Sequence, residues 1–258
     1  IYIFFVKSQI PQEFKKLPFE KFTSYSVHKK DDKILLNLEK ISNLNTLQKN
    51  YKLFLIGQAL SKYCKSGNFF IEYYGSKKID VKNFILGWNL AHYDFNKFQS
   101  KKVKKEIPKI FHESNSEISL LTESYFFIRD LINTPANILG PKEIFSEAKK
   151  FLKKFTLTNL VVGKKLEKNF PLISAVGQGA DDLKKPIFCE FKLNKKKSKK
   201  KVFLIGKGVS FDTGGLNIKT GSGMSLMKKD MGGAANCIGL AKLISDFNID
   251  VDLRLLLC

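Results

Sequence analysis

The chain has 258 residues, of which 43% are hydrophobic and 23 are phenylalanine. This composition excludes an intrinsically disordered protein and allows one large domain or two smaller ones. The formal net charge is +21, but only two of the 45 basic residues, Arg129 and Arg254, are arginine. Because proteins that read nucleic-acid sequence rely on arginine forks, we interpret the charge as a solvated basic surface.

The four cysteines are scattered along the chain and form no CxxC pair (Cys64, Cys189, Cys237, Cys258). This spacing favours free thiols in a reducing compartment. No apolar run reaches the roughly 18 residues that a membrane span needs, and the opening IYIFFV is too short for a signal sequence. We therefore expect a cytoplasmic protein without a membrane span, and we expect that both ends of the chain are cut.

The first part of the chain, residues 1–108, predicts a compact α/β unit. Apolar and aromatic runs predict strands at residues 1–6, 33–38 and 68–75, and helical periodicity predicts helices at 47–63 and 81–98. The charged segment 101–108 ends in a proline and is interpreted as a linker between domains. The three histidines of the chain lack metal-type spacing, so none is expected to bind a metal (His28, His92, His112).

From residue 109 onward the pattern predicts a second α/β unit. One helix is expected to end before Pro135 and another to begin at Pro141. Strands are predicted at residues 159–163, 187–193, 201–208 and 251–258, and a helix at 233–247. The apolar runs at 187–193 and 201–208 flank a lysine-rich tip at 194–200, so we expect them to form a hairpin.

The stretch 202–244 carries the candidate chemistry. After an apolar strand, glycine-bearing turns contain two lysines and two aspartates (Lys207, Asp212, Lys219, Asp230), and a helix follows. Two carboxylates brought close together repel unless a cation such as Mg²⁺, Mn²⁺ or Zn²⁺ lies between them. A lysine beside such ions can lose its proton and coordinate, while a protonated lysine can stabilise an oxyanion. Alternatively, the aspartates cap turns and the lysines are solvated.

The sequence of this loop resembles that of a known family. GKGVSFDTGGLNIK (206–219) and GSGMSLMKKDMGGAAN (221–236) resemble the metal-binding core of the leucyl (cytosol) aminopeptidases of the M17 type. The segments 87–98, 129–141 and 171–180 also resemble that family. The family usually has a proline where this chain has Thr220, a departure that removes no catalytic group.

The resemblance implies a fold. It implies a smaller amino-terminal α/β domain with its linker at residues 1–108. It also implies that residues 109–258 are the first part of an α/β catalytic domain, incomplete at its carboxyl end, with a central mixed sheet flanked by helices.

The resemblance also implies site roles. Lys207 and Asp212 would be metal ligands, with Asp212 bridging two ions, and Asp230 would complete the ligands from this region. Lys219 would polarise the scissile carbonyl and stabilise the oxyanion. Met227 would line the pocket for the first side chain of the substrate, although plain core packing is an equal alternative for this residue.

The implied activity is metal-dependent removal of the amino-terminal residue, leucine-like, from peptides by a two-metal mechanism. The implied cofactors are two divalent ions, Mn²⁺ or Zn²⁺, with a bicarbonate held by an arginine, and the implied partners are peptide substrates and a homo-hexamer. In the family, two further carboxylates and that arginine follow about sixty residues after the position of Asp230. The segment 1–258 alone is therefore expected to be inactive.

Two other classes of protein remain open. Glycine-rich turns before a helix can bind phosphate, which would fit a phosphate-binding α/β protein. However, GKG after the strand lacks the GxxxxGK[ST] spacing of phosphate-binding loops. The net charge alone would fit a basic nucleic-acid-binding protein.

Overall fold

The computed structural model describes residues 1–4, 19–21, 26–30, 33–61, 64, 67–73, 80–100, 108–193 and 200–258. The chain divides into two compact units, Ile1–Thr122 and Glu123–Cys258. The predicted domain boundary at residue 108 stays a prediction, because most of the predicted linker, residues 101–107, lies outside the described residues. The same holds for residues 194–199 of the predicted lysine-rich tip.

The amino-terminal unit has a mixed sheet and helices. Its elements are β1 (Tyr2–Phe4), β2 (Phe19–Lys21), β3 (Ser26–Lys30), β4 (Lys33–Asn37), α1 (Thr46–Leu60), β5 (Asn68–Phe70), β6 (Glu72–Tyr73), α2 (Lys82–Ala91), β7 (Lys109–Phe111) and the start of α3 (Asn115–Asn133). The sheet has the strand order β2-β3-β4-β1-β6, with β1 parallel to both of its neighbours. The strands β5 and β7 pair in parallel by themselves.

The core of this unit forms where the predicted apolar faces meet. Leu53 on α1 and Phe84 and Trp88 on α2 are buried, as is Leu36 on β4. The Trp88 indole N–H donates a hydrogen bond to the Pro108 carbonyl oxygen at 2.9 Å, so the buried ring also has its polar group satisfied. The predicted strand 68–75 is wrong as one element, because β5 and β6 lie in different sheets.

The carboxyl-terminal unit is built around a second mixed sheet. After α3 come α4 (Pro141–Phe151), β8 (Thr156–Val162), α5 (Gly163–Asn169), α6 (Pro171–Val176), β9 (Ile187–Leu193), β10 (Lys201–Gly206), α7 (Gly221–Ser225), α8 (Gly232–Asp246) and β11 (Asp252–Leu257). The strand order is β10-β11-β9-β8. The strands β10 and β11 are parallel, whereas β11 with β9 and β9 with β8 are antiparallel. The mixed α/β fold class is confirmed.

The predicted hairpin between residues 187–193 and 201–208 is wrong. The last strand, β11, lies between β9 and β10 and pairs with both. The connection from β10 through α8 to β11 is a parallel crossover, which places β11 next to β10 in the sheet. Leu253, Leu255 and Leu257 of β11 are buried, so the strand between β9 and β10 is an apolar strand in the middle of the sheet.

Helix α8 covers one face of this sheet with small and branched side chains. Ala234, Ile238, Ala241 and Ile244 are buried, as their helical spacing predicts. They share one apolar core with Leu253 and its neighbours on β11 and with Phe191 on β9. Across the described ranges, no helix is long and apolar enough to cross a membrane.

Candidate active site

The loop between β10 and α8 holds the four charged residues, and two glycines determine its path. Gly206 ends β10 so close to α8 that an added Cβ would lie 2.6 Å from the Ala234 Cα. Gly214 has a φ of +94°, a conformation that favours glycine, and an added Cβ would lie 2.3 Å from the Asn217 carbonyl oxygen. Both positions therefore require glycine for the loop to reach its conformation.

Backbone hydrogen bonds hold the charged residues in place. The Ala234 N–H donates to the Lys207 carbonyl oxygen at 2.9 Å, which joins the end of β10 to the start of α8. The Lys219 N–H donates to the Thr213 carbonyl oxygen at 2.9 Å, which closes the turn around Gly214. The charged side chains thus project from a backbone that is fixed on both sides of the loop.

Lys207 and Asp230 form one ion pair of the site. The Lys207 Nζ lies 2.7 Å from Oδ1 of Asp230. The aspartate side chain is only 16% exposed, whereas the lysine side chain is 59% exposed. The second carboxylate oxygen, Asp230 Oδ2, is buried and has no hydrogen-bond partner among the described residues. Because a buried carboxylate oxygen without a partner is costly, this oxygen could accept a further cationic group, such as a metal ion.

Asp212 and Lys219 form the other pair. Asp212 Oδ1 accepts a hydrogen bond from the Gly214 N–H at 2.8 Å, and Oδ2 lies 3.2 Å from the Lys219 Nζ. These two hydrogen bonds, with the charges of Lys219 and Lys207, hold the pKa of Asp212 below its ordinary value. Because Lys207 acts on Asp212 while pairing with Asp230, the two ion pairs belong to one cluster.

The structure thus brings together the four charged residues that the sequence singled out, as two aspartate–lysine pairs. In the described part of the chain, no three His, Cys, Asp or Glu side chains lie close enough to hold a metal ion. Met227 is half-buried in the 3₁₀ turn Met227–Lys229, directly before Asp230. This position is compatible with either a pocket role or packing.

Two features near the cluster were not expected from the sequence. Lys228 donates through Nζ to the Asn133 carbonyl oxygen at 3.3 Å, a contact between residues 95 positions apart. An apolar cleft of about 570 Å³ borders Lys207 and is lined by side chains that include Leu172, Val176, Ile205 and Phe211. Neither feature has a local sequence signal, because each depends on how distant segments pack.

The fold and the cluster define a class of protein. Charged side chains on glycine-bearing turns, at the carboxyl end of a parallel strand, are typical of α/β proteins that bind ligands at the edge of the sheet. Residues 126–258 match the sequence model of the cytosol aminopeptidase family, catalytic domain. The chain belongs to this family.

Individual relatives agree with this assignment. A probable cytosol aminopeptidase of Clostridium perfringens is 30% identical over 243 residues, which cover 86% of this chain and 49% of that protein. One of Aquifex aeolicus is 34% identical over 188 residues, covering 69% of this chain and 38% of that protein. The crystal structure of the cytosol aminopeptidase of Coxiella burnetii matches with a TM-score of 0.73 and 35% identity, over 87% of this chain and 47% of that one. The chain therefore spans about half the length of such relatives.

Proposed function

We propose that the full-length protein is a metal-dependent aminopeptidase that removes a leucine-like amino-terminal residue from peptides by a two-metal mechanism. The observation that carries the proposal is the cluster of Asp212, Asp230, Lys207 and Lys219 within the region that matches the family's catalytic domain. The names of the relatives support an aminopeptidase. A location in the cytoplasm and assembly as a homo-hexamer belong to the same proposal.

The donor set of the loop supports a divalent metal. Hydrogen bonds from the Gly214 N–H and from Lys219 hold the pKa of Asp212 below its ordinary value, and Asp230 keeps a buried oxygen without a partner among the described residues. When bound, divalent ions such as Mn²⁺ or Zn²⁺ would supply Lewis acidity and a reactive water. Asp212, Asp230 and Lys207 would hold these ions. Further carboxylates, and an arginine that binds bicarbonate, would come from another part of the full-length protein.

Lys219 has a different proposed role. It lies 3.2 Å from Asp212, so its ammonium group is held beside the proposed metal ligands and need not be a ligand itself. A protonated lysine in that place would stabilise the negative charge that develops on the carbonyl oxygen of the substrate. The apolar cleft that begins at Lys207 fits a preference for hydrophobic side chains. Met227 is not among the residues that line this cleft, so its proposed role beside the first side chain of the substrate rests on the family resemblance alone.

The two proposed roles predict different failures for Asp212→Ala and Lys219→Ala in the full-length protein. Loss of Asp212 should lower bound metal as well as rate. Loss of Lys219 should lower kcat about 10²–10³-fold, as for one oxyanion donor, with the metal retained. The measurements are metal content by elemental analysis and hydrolysis of leucine p-nitroanilide.

Chelation provides the control for this comparison. Exhaustive treatment with a chelator should abolish activity, and Mn²⁺ or Zn²⁺ should restore it. Full activity in wild-type protein whose metal content is verified as nil would refute the proposed function. Full metal content in Asp212→Ala would refute the assignment of Asp212 as a ligand.

The alternatives of phosphate or nucleic-acid binding gain no support from the site. Lys207 and Lys219 are each paired with an aspartate, so these four side chains together carry no net positive charge to attract an anion. The family assignment does not support either alternative.

A further inference from the structure

The turn that precedes Asp230 is tied to a distant helix. Lys228 lies within the 3₁₀ turn Met227–Lys229, which ends at Asp230. Its Nζ donates to the carbonyl oxygen of Asn133, the last residue of α3. Carbonyl groups in the last turn of a helix lack intrahelical donors, and cationic side chains are favoured there. Lys228 therefore joins the turn to the carboxyl end of α3.

The residues after Asp230 contact the same helix end. Met231 is 1% exposed and packs in the core that contains Leu131. Gly232 lies against Ile132, since an added Cβ there would be 3.7 Å from the Ile132 Cδ1. Asp230 is thus held between two attachments to α3, one polar on its amino-terminal side and one apolar on its carboxyl-terminal side.

This attachment matters because the carboxylate itself has few constraints. Asp230 Oδ1 pairs with Lys207, whose side chain is 59% exposed, and Oδ2 has no partner among the described residues. The backbone of the turn is closed by the Asp230 N–H, which donates to the Met227 carbonyl oxygen at 3.0 Å. The direction of the carboxylate therefore depends on where this turn sits relative to the rest of the fold.

We propose that Lys228 is a positioning residue: by binding the Asn133 carbonyl oxygen, it orients the carboxylate of Asp230 for metal binding. The proposal rests on the proposed function, in which Asp230 is a ligand. In this role Lys228 acts only through the turn that carries Asp230. Partners that orient a metal ligand typically change metal affinity about 10–100-fold when they are removed.

The test compares Lys228→Met with the neighbouring Lys229→Met in the full-length protein. Methionine removes the ammonium group and keeps an unbranched stem. Lys229 is a matched control, because it is exposed, lies in the same turn and has no side-chain partner in the described part of the chain. Binding of MnCl₂ to chelator-stripped protein is measured by isothermal titration calorimetry. We expect Lys228→Met to weaken Mn²⁺ binding about 10–100-fold, and Lys229→Met to leave it unchanged.

Two further variants separate positioning from a general loss of fold. Lys228→Arg keeps a donor and should bind Mn²⁺ close to wild type, and Lys228→Leu, which also lacks a donor, replaces Lys228→Met if the latter does not fold. The Tm of each metal-free variant measures how much Lys228 stabilises the end of α3, independently of metal binding. A lowered Tm for Lys228→Met with unchanged Mn²⁺ affinity would show a purely structural cap and overturn the proposal.

The outcomes also separate this inference from the proposed function. Wild-type protein that binds neither Mn²⁺ nor Zn²⁺ overturns both. Wild-type protein that binds Mn²⁺ and hydrolyses the leucine amide, with Lys228→Met indistinguishable from Lys229→Met, overturns only the role of Lys228. Wild-type protein that binds Mn²⁺ without hydrolysing peptides, with weakened binding in Lys228→Met, overturns the proposed function and supports the positioning role.

Discussion

The close approach of β10 to α8 predicts a strong effect of Gly206→Ala. The new methyl group would lie 2.6 Å from the Ala234 Cα, 3.1 Å from its backbone nitrogen and 3.3 Å from its Cβ. Carbon atoms in contact prefer a separation of about 3.5–4.0 Å, so the start of α8 must move by about 1 Å. Overpacking of this kind costs about 1–3 kcal/mol. For a protein unit of about 150–250 residues, that corresponds to a Tm lower by about 2–12 °C.

The same displacement should also reach the site. The Ala234 N–H is bonded to the Lys207 carbonyl oxygen, so moving the start of α8 moves Lys207 or breaks this bond. Asp230 precedes α8 by only two residues, and its 2.7 Å contact with Lys207 would change as well. A misplacement of about 1 Å in a catalytic arrangement can lower the rate about 10²-fold. We therefore expect Gly206→Ala to lose both stability and activity.

Gly221→Ala is the matched control for this experiment. An added Cβ at Gly221 meets no atom within 4 Å in the described structure, and the residue is exposed at the start of α7. Its effect on the free energy of unfolding should stay within about 0.5 kcal/mol. The assays are differential scanning calorimetry and hydrolysis of leucine p-nitroanilide by the full-length variants. A Gly206→Ala protein that melts and turns over like Gly221→Ala would refute the reasoning.

Two further predictions concern buried thiols and a helix cap. Burial, with a smaller effect of the neighbouring Cys258, raises the pKa of Cys189 to about 12. Iodoacetamide at pH 8 should therefore leave the Cys189 thiol unlabelled in the native protein. Peptide mapping that shows Cys189 alkylated as fast as the half-buried Cys237 would contradict this. Burial alone would raise the pKa of Glu143, but hydrogen bonds from Lys184 and from the Gly140 N–H outweigh it and hold the pKa below its ordinary value. Glu143→Gln should therefore lower the free energy of unfolding in urea by about 0.5–1 kcal/mol at pH 7. This difference should shrink as the pH falls below the ordinary glutamate pKa, because wild type then loses the stabilising charge. A difference that is unchanged at pH 3.5 would refute the assignment to charge.

The elements that the sequence predicted well are those whose signal is local. The helical spacing of Ala234, Ile238, Ala241 and Ile244 was sufficient to predict α8 and its buried face. The proline at the start of α4 was equally informative, since proline is favoured in the first turn of a helix. The four charged residues Lys207, Asp212, Lys219 and Asp230 could be singled out because they lie within one continuous stretch of chain between β10 and α8, and their roles stay a prediction.

Strand order was not available from such local signals. The runs that became β9 and β10 are neighbours in sequence, and alternating apolar residues do not tell which strand lies beside which. The actual partner of both is β11, which is separated from β10 by the whole of α8. The contact of Lys228 with Asn133 could not be predicted from the sequence either, because it joins residues 95 positions apart and leaves no periodic pattern.

The net charge of the chain and the charges within the cluster lead to different expectations about the ligand. The chain carries a net +21, which by itself would favour anionic partners. Within the cluster, however, Lys207 and Lys219 are each paired with an aspartate, and one buried carboxylate oxygen, Asp230 Oδ2, has no hydrogen-bond partner among the described residues. An anion would gain little from such a cluster, whereas a cation would satisfy the buried oxygen. Interactions at short range in a partly buried site exceed those of distant surface charges, which salt screens. The arrangement of the cluster therefore supports the proposed metal site, in spite of the net positive charge of the chain.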